Sequence, residues 1–231
     1  MIRLLQVHYA YRPGEPVLQG ADLKIAAGLT LLLGPNGCGK STLLKLAAGV
    51  ERPDRGTVEI EGCSLWRDEA AARRNLAYVP EQPDLTPYAT ITDILRLVCR
   101  LRGEPANQGL AALENAGLKG LSGRSIRELS MGQRRRAVLA AAWIGSPRVV
   151  LLDEPLESMD RTMREQILAW VERLLDKRSS VVIATHEIEP FMSRAIRAVT
   201  VKDGLCRVYD PLPREEGPRT ALIEALSRGR Q

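Results

Sequence analysis

Gly34-Pro35-Asn36-Gly37-Cys38-Gly39-Lys40-Ser41-Thr42 is the stretch whose reading decides the fold. It fits the pattern G-x-x-x-x-G-K-[ST] at Gly34, Gly39, Lys40 and Ser41. Glycines in such a loop let successive backbone N–H groups turn inward around phosphate oxygens. Lys40 would reach the β- and γ-phosphates, and the Ser41 hydroxyl would ligate Mg²⁺. The flanks support the match. Leu29–Leu33 is a continuous apolar run that reads as a buried strand, and Ser41–Ala48 reads as a helix start. Strand, loop and helix in that order aim a positive helix end at an anion. A Gly/Pro-rich turn that fits by chance would lack this setting. All nine residues, Gly34 through Thr42, are therefore candidates for holding a nucleoside triphosphate.

Outward from the loop, Ile2–Val7 and Val17–Ile25 read as strands joined by the turn Arg12-Pro13-Gly14. Thr57–Ile60 and Leu76–Val79 look like further strands, with Asp68–Arg74 a short helix between them. From Thr92 to about Gly145 the texture is helical, with Ile94, Leu95, Leu97, Val98 and Leu101 at helical spacing. Gly103, Pro105, Gly117 and Gly123 punctuate this insertion. Strands return at Val149–Leu152 and Ser180–Ala184, separated by an amphipathic helix at Arg161–Lys177. Val199–Lys202 and Leu205–Tyr209 read as a closing hairpin around Asp203-Gly204. Continuous apolar strands alternating with helices mean an α/β fold with a largely parallel sheet covered on both faces. The expected organisation is one domain, 1–231, with its core at about 1–83 and 146–210. The helical part occupies about 84–145, and the tail, 211–231, is peripheral or lightly packed.

Composition narrows the function. At 231 residues, with 45% hydrophobic and 26% charged residues, the chain can bury a substantial core. Its net charge of +5 is mild, and the arginines are scattered apart from Arg134–Arg136 and the tail. With one Phe and 4% aromatics, a base-stacking platform is not available, so nucleic-acid binding gains no support. The four cysteines, Cys38, Cys63, Cys99 and Cys206, show no C-x-x-C pairing, which fits a reducing, cytoplasmic setting. The longest apolar stretch, Ala137–Gly145, is too short to cross a bilayer, so a membrane role would run through a separate partner.

Val149-Val150-Leu151-Leu152-Asp153-Glu154 is an apolar strand ending in two acids. Beside a phosphate loop, Asp153 could orient the Mg²⁺ shell and Glu154 could polarise the water that attacks the γ-phosphate. In isolation the same pattern is often only a strand with solvated carboxylates at its end. The complete phosphate loop upstream favours the catalytic reading.

At this point the chain resembles an ATP-binding cassette (ABC) ATPase over nearly its whole length. An ordered set of motifs carries the resemblance: Pro80-Glu81-Gln82-Pro83, then Leu129-Ser130-Met131-Gly132-Gln133, then Asp153-Glu154-Pro155. Ser158-Met159-Asp160 and Thr185-His186-Glu187 complete it. The resemblance implies a P-loop NTPase core with a mainly parallel sheet, an N-terminal antiparallel β subdomain and an inserted α-helical subdomain. It assigns Glu154, His186 and Gln82 to catalysis, and Ser41, Gln82 and Asp153 to the metal. It places Tyr11 against adenine, with Tyr9 a close competitor, and leaves His8 without a role. Ser130, Gly132, Gln133 and Asp160 would meet nucleotide across a head-to-tail pair of cassettes. Locally, Ser130 also fits an ordinary helix N-cap. Arg134–Arg136 reads mainly as a solvated helix face. Met131 stands where the family most often has glycine, and Leu156-Glu157-Ser158 replaces a small polar run. The implied partners are a second cassette and an integral membrane transporter subunit, with ATP and Mg²⁺ bound and no nucleic acid. The run from Pro80 to Thr92 is most similar to cassettes of bacterial exporters. A non-transport cassette acting on nucleic acid or ribosomes is the alternative.

Overall fold

In the computed structural model, which describes residues 1–229, the chain builds two sheets. It begins with β1 (Ile2–Arg12), β2 (Glu15–Ile25) and β3 (Gly28–Leu33), followed by α1 (Lys40–Ala48). Next come β4 (Arg55–Ile60), β5 (Cys63–Ser64), α2 (Glu69–Arg74) and β6 (Leu76–Val79). The helical insertion holds α3 (Ile91–Arg102), α4 (Ala106–Asn115) and α5 (Met131–Trp143). After it follow β7 (Val149–Asp153), α6 (Arg161–Asp176), β8 (Ser180–Ala184) and α7 (Glu189–Met192). The described chain finishes with β9 (Ala195–Lys202), β10 (Leu205–Tyr209) and α8 (Glu216–Ser227).

The smaller sheet runs β2-β1-β4-β5 and is antiparallel throughout. The larger runs β10-β9-β3-β8-β7-β6, parallel except for the β9–β10 hairpin. Leu29–Leu33, Val149–Asp153 and Ser180–Ala184 are buried at every position, which is why these strands are apolar without alternation. Parallel register then aligns their carboxyl ends. Leu32 and Asp153 both pair with Ala184, so the segments after β3, β7 and β8 emerge side by side. Ligands of parallel α/β sheets bind at that edge.

α1 fills the space between the sheets, with Leu43, Leu44 and Leu46 packed among Leu4, Leu18 and Val58. The opposite face of the large sheet is covered by α6, whose Met163, Ile167, Trp170, Val171 and Leu174 form one stripe. Each such fully buried side chain contributes about 1.5–3 kcal/mol. α3, α4 and α5 enclose a separate core around Leu95, Leu113, Ala137 and Ile144. The lobe is fastened to the sheet by Arg102, which donates to the carbonyls of Ala141, Ala142 and Ile144 at 3.1, 3.2 and 2.5 Å and to Leu76 at 3.1 Å.

The tail departs from expectation. Rather than packing lightly, it puts Leu212, Ile223 and Leu226 into the same core as α6, at 0–3% exposure. Its helix spans Glu216–Ser227, and the polar first turn conceals the apolar stripe that follows. No helix among the described residues is long and apolar enough to cross a membrane.

Candidate functional site

The carboxyl edge of the large sheet opens into a cavity of about 780 Å³. Asn36, Gly37, Gly39, Lys40, Ser41 and Thr42 form one wall. Gly37 and Gly39 have φ of 80° and 106°, a left-handed backbone that non-glycine residues rarely adopt, and Gly39 is also the N-cap of α1. The helix therefore points its unpaired N–H groups at the cavity with no acidic residue in its first turn. The Lys40 ammonium donates to the carbonyls of Gly34 and Pro35 at 2.8 and 3.1 Å, curled over its own loop. Gly34, Pro35 and Cys38 turn to the loop's other side, toward Val201 and Lys202.

Asp153, Glu154, Thr185 and His186 form the facing wall. Asp153 is 4% exposed, and burial pushes its carboxyl above the ordinary carboxylate range. The charges of Glu81 and Glu154 push the same way, against a hydrogen bond to Ser41 and the charge of Lys40. Glu154 has φ 46°, a left-handed backbone that turns its side chain back over β8. There its carboxylate accepts from the Thr185 hydroxyl at 2.9 Å and from the His186 N–H at 3.1 and 3.2 Å. Tyr11, 52% exposed, stands at the cavity mouth with its hydroxyl 3.3 Å from Thr42 Oγ1, whereas Tyr9 is buried in the core.

Gln82 is not part of this arrangement. It is exposed outside the cavity, and Glu81 lines the wall in its place. Of the polar residues that follow Pro80, Glu81 therefore borders the cavity and Gln82 does not. Ser130, Gly132 and Gln133 also lie away from the cavity. Ser130 caps α5, accepting from Gln133 N at 3.3 Å while its own N–H donates to Gln133 Oε1 at 3.0 Å. Ser130, Met131 and Gly132 are exposed, and no protein atom crowds Gly132. Asp160 caps α6 through Met163 N at 2.9 Å. The arginine run after the cap is not a solvated face. Arg134 donates to the carbonyls of Ile126, Leu129 and Arg127, Arg135 is buried, and Arg136 pairs with Asp160.

The ABC transporter family profile matches residues 18–157, more than half of the chain. The chain belongs to the ABC transporter family. This cassette is 35% identical over 213 residues to the sulfate/thiosulfate import ATP-binding protein CysA of Mycobacterium bovis, covering 89% of the chain but 60% of that relative. The chain thus spans less than two thirds of the length of that relative. It is 33% identical over 218 residues to the taurine import ATP-binding protein TauB of Shigella dysenteriae, covering 91% of the chain and 84% of that protein. The dimeric bacterial ABC transporter cassette MJ0796 superposes with a TM-score of 0.77 at 27% identity, over 91% of this chain and 98% of that one. Both named relatives are importers, the opposite direction to the exporter-like texture after Pro80.

The residues present suit a nucleotide-bound Mg²⁺. Among the described residues no cluster of three His, Cys, Asp or Glu side chains could hold a metal unaided. Ser41 and Asp153, which both line the cavity, offer the one or two oxygens that Mg²⁺ takes from protein when phosphates and water supply the rest. Sequence reasoning overlooked Glu81 and Arg135. Glu81 was hidden by its neighbour Gln82, and the burial of Arg135 had no local signal.

Proposed function

We propose that this cassette is the ATP-hydrolysing subunit of a transporter whose membrane-spanning part is a separate polypeptide. One observation carries the reading: Lys40, Ser41, Asp153, Glu154 and His186 converge on one cavity while Ser130, Met131 and Gly132 are exposed outside it. On this reading the cavity is the nucleotide site, and the exposed α5 N-terminus, apart from it, would cap another chain's nucleotide. A head-to-tail pair would complete two sites at once, a reading supported by the dimeric state of the related MJ0796 cassette.

Within the site, the α1 N–H groups and Lys40 would hold the β- and γ-phosphates. Mg²⁺, when bound through Ser41 and Asp153, supplies charge neutralisation for the phosphates. Glu154 would accept a proton from the attacking water on a carboxylate oxygen as the new bond to the γ-phosphorus forms and the bond to the bridging oxygen breaks. ADP and phosphate result. His186 would fix the direction of Glu154, and Tyr11 would stack on the base. Closure on ATP and opening after hydrolysis would drive the partner.

Purification of the tagged chain from native membranes tests the reading. Recovery of an integral membrane protein together with Mg-ATP-dependent phosphate release is expected. Recovery of RNA or DNA instead would overturn it in favour of a non-transport cassette.

A further inference from the structure

Arg135 lies two residues beyond the Ser130–Gln133 cap on α5, yet it is only 5% exposed. Its Nη2 donates to the main-chain carbonyl of Glu154. Its Nη1 is 3.6 Å from the Glu157 carboxylate, and its Nε has no partner among the described residues. The next residue, Arg136, pairs with Asp160. Two consecutive arginines of one helix therefore grip both ends of the segment 154–160. That segment begins with a left-handed Glu154 and carries a second left-handed residue, Ser158, at φ 55°. A non-glycine residue keeps such a backbone only when its surroundings hold it there. At Glu154 the holding groups are the Ala184 carbonyl, which accepts from Glu154 N at 2.8 Å, and the Arg135 guanidinium on the carbonyl side.

We infer that Arg135 is a positioning residue through which α5 sets the aim of Glu154 in the same chain. The inference rests on Glu154 being the base and on the α5 N-terminus capping a partner's nucleotide. Given both, displacement of α5 by nucleotide in the neighbouring site moves the Glu154 peptide plane through one buried hydrogen bond. The two sites of a pair are then coupled within each chain as well as across the interface. Rotation of that peptide would redirect the carboxylate away from Thr185 and His186, and small displacements of catalytic groups lower rates steeply. A guanidinium suits this task because its fixed fork spans the carbonyl and Glu157 together.

Two replacements of similar length separate aiming from mere packing. Arg135→Met fills the space without donating, whereas Arg135→Lys keeps an N–H donor on a side chain of nearly the reach of arginine. Steady-state hydrolysis of Mg-ATP should show kcat reduced about tenfold or more in Arg135→Met, with KM within about twofold. The Hill coefficient for ATP should fall toward one. Arg135→Lys should recover most of both. A purely structural role predicts equal losses in the two variants, or a milder loss with Met, and either result overturns the inference, as does wild-type kcat in Arg135→Met. Glu154→Gln measured alongside keeps the failures apart. If it is inactive while Arg135→Met is normal, only the positioning role fails. If it hydrolyses ATP normally, the assignment of the base fails first.

Discussion

His186 meets Glu154 through both its backbone and its ring. Its main-chain N–H donates to both carboxylate oxygens at 3.1 and 3.2 Å, and its Nε2 lies 3.5 Å from Oε1. The Thr185 hydroxyl adds a third donor at 2.9 Å. The carboxylate is thereby aimed by the end of β8, the neighbouring strand, more than by its own backbone. Glu154→Gln preserves size but cannot take a proton. Turnover is expected to fall by about 10²–10⁴-fold, the range for general base catalysis, with ATP binding intact. ATP should then accumulate in a closed pair, seen as a doubled mass in light scattering. His186→Ala should cost less, because the main-chain donor survives the substitution.

Glu81, rather than Gln82, faces Asp153 from the loop after β6. A carboxylate there repels incoming phosphates where an amide would not. Glu81→Gln is expected to tighten ATP binding, read as a lower KM in a phosphate-release assay. Glu81→Ala should alter turnover more than Gln82→Ala. The opposite ranking would give Gln82 the role that the resemblance implies.

Ile223 and Leu226 fix α8 to the face of the large sheet beside α6, and both are almost fully buried. Ile223→Ala should destabilise the protein by about 2–5 kcal/mol, the cost of emptying a core site. Urea unfolding with an unchanged slope is the measurement. A loss below about 0.5 kcal/mol, as at an exposed position, would show that the tail is peripheral after all.

How far the sequence could be read followed from the range of each interaction. The loop Gly34–Thr42 and the strands at Leu29, Val149 and Ser180 are set by local pattern, and the structure has these elements with boundaries shifted by a residue or so. Asp153 could be placed because parallel strands bring their carboxyl ends together, whereas His186 rested on the resemblance to ABC ATPases. Glu81 required the register of a turn, which a shift of one residue inverts. Arg135 required knowing that α5 packs beside the segment 154–160, far along the chain. An arginine triplet carries no mark of that contact, and charge alone suggests solvent. The polar start of α8 misled in the same way, since its apolar residues find their partners on α6.

Lys40 donates to the carbonyls of Gly34 and Pro35 at 2.8 and 3.1 Å, so its ammonium is held by its own loop. Phosphate binding must exchange these two neutral acceptors for charged oxygens, and a charge-assisted hydrogen bond is roughly twice as strong as a neutral one. The exchange therefore favours the nucleotide and leaves the loop's shape to its glycines. Lys40→Met should weaken ATP binding by about 10–150-fold, the equivalent of one hydrogen bond to a charged group at 1.5–3 kcal/mol. The nucleotide-free protein should lose little stability, because the Pro35 carbonyl is exposed to water and the loop's shape is left to its glycines. Melting temperatures with and without Mg-ATP separate the two effects. The rise on adding nucleotide should shrink in the variant, since stabilisation by a ligand grows with its concentration relative to Kd. An undiminished rise would place the phosphates beyond the reach of Lys40.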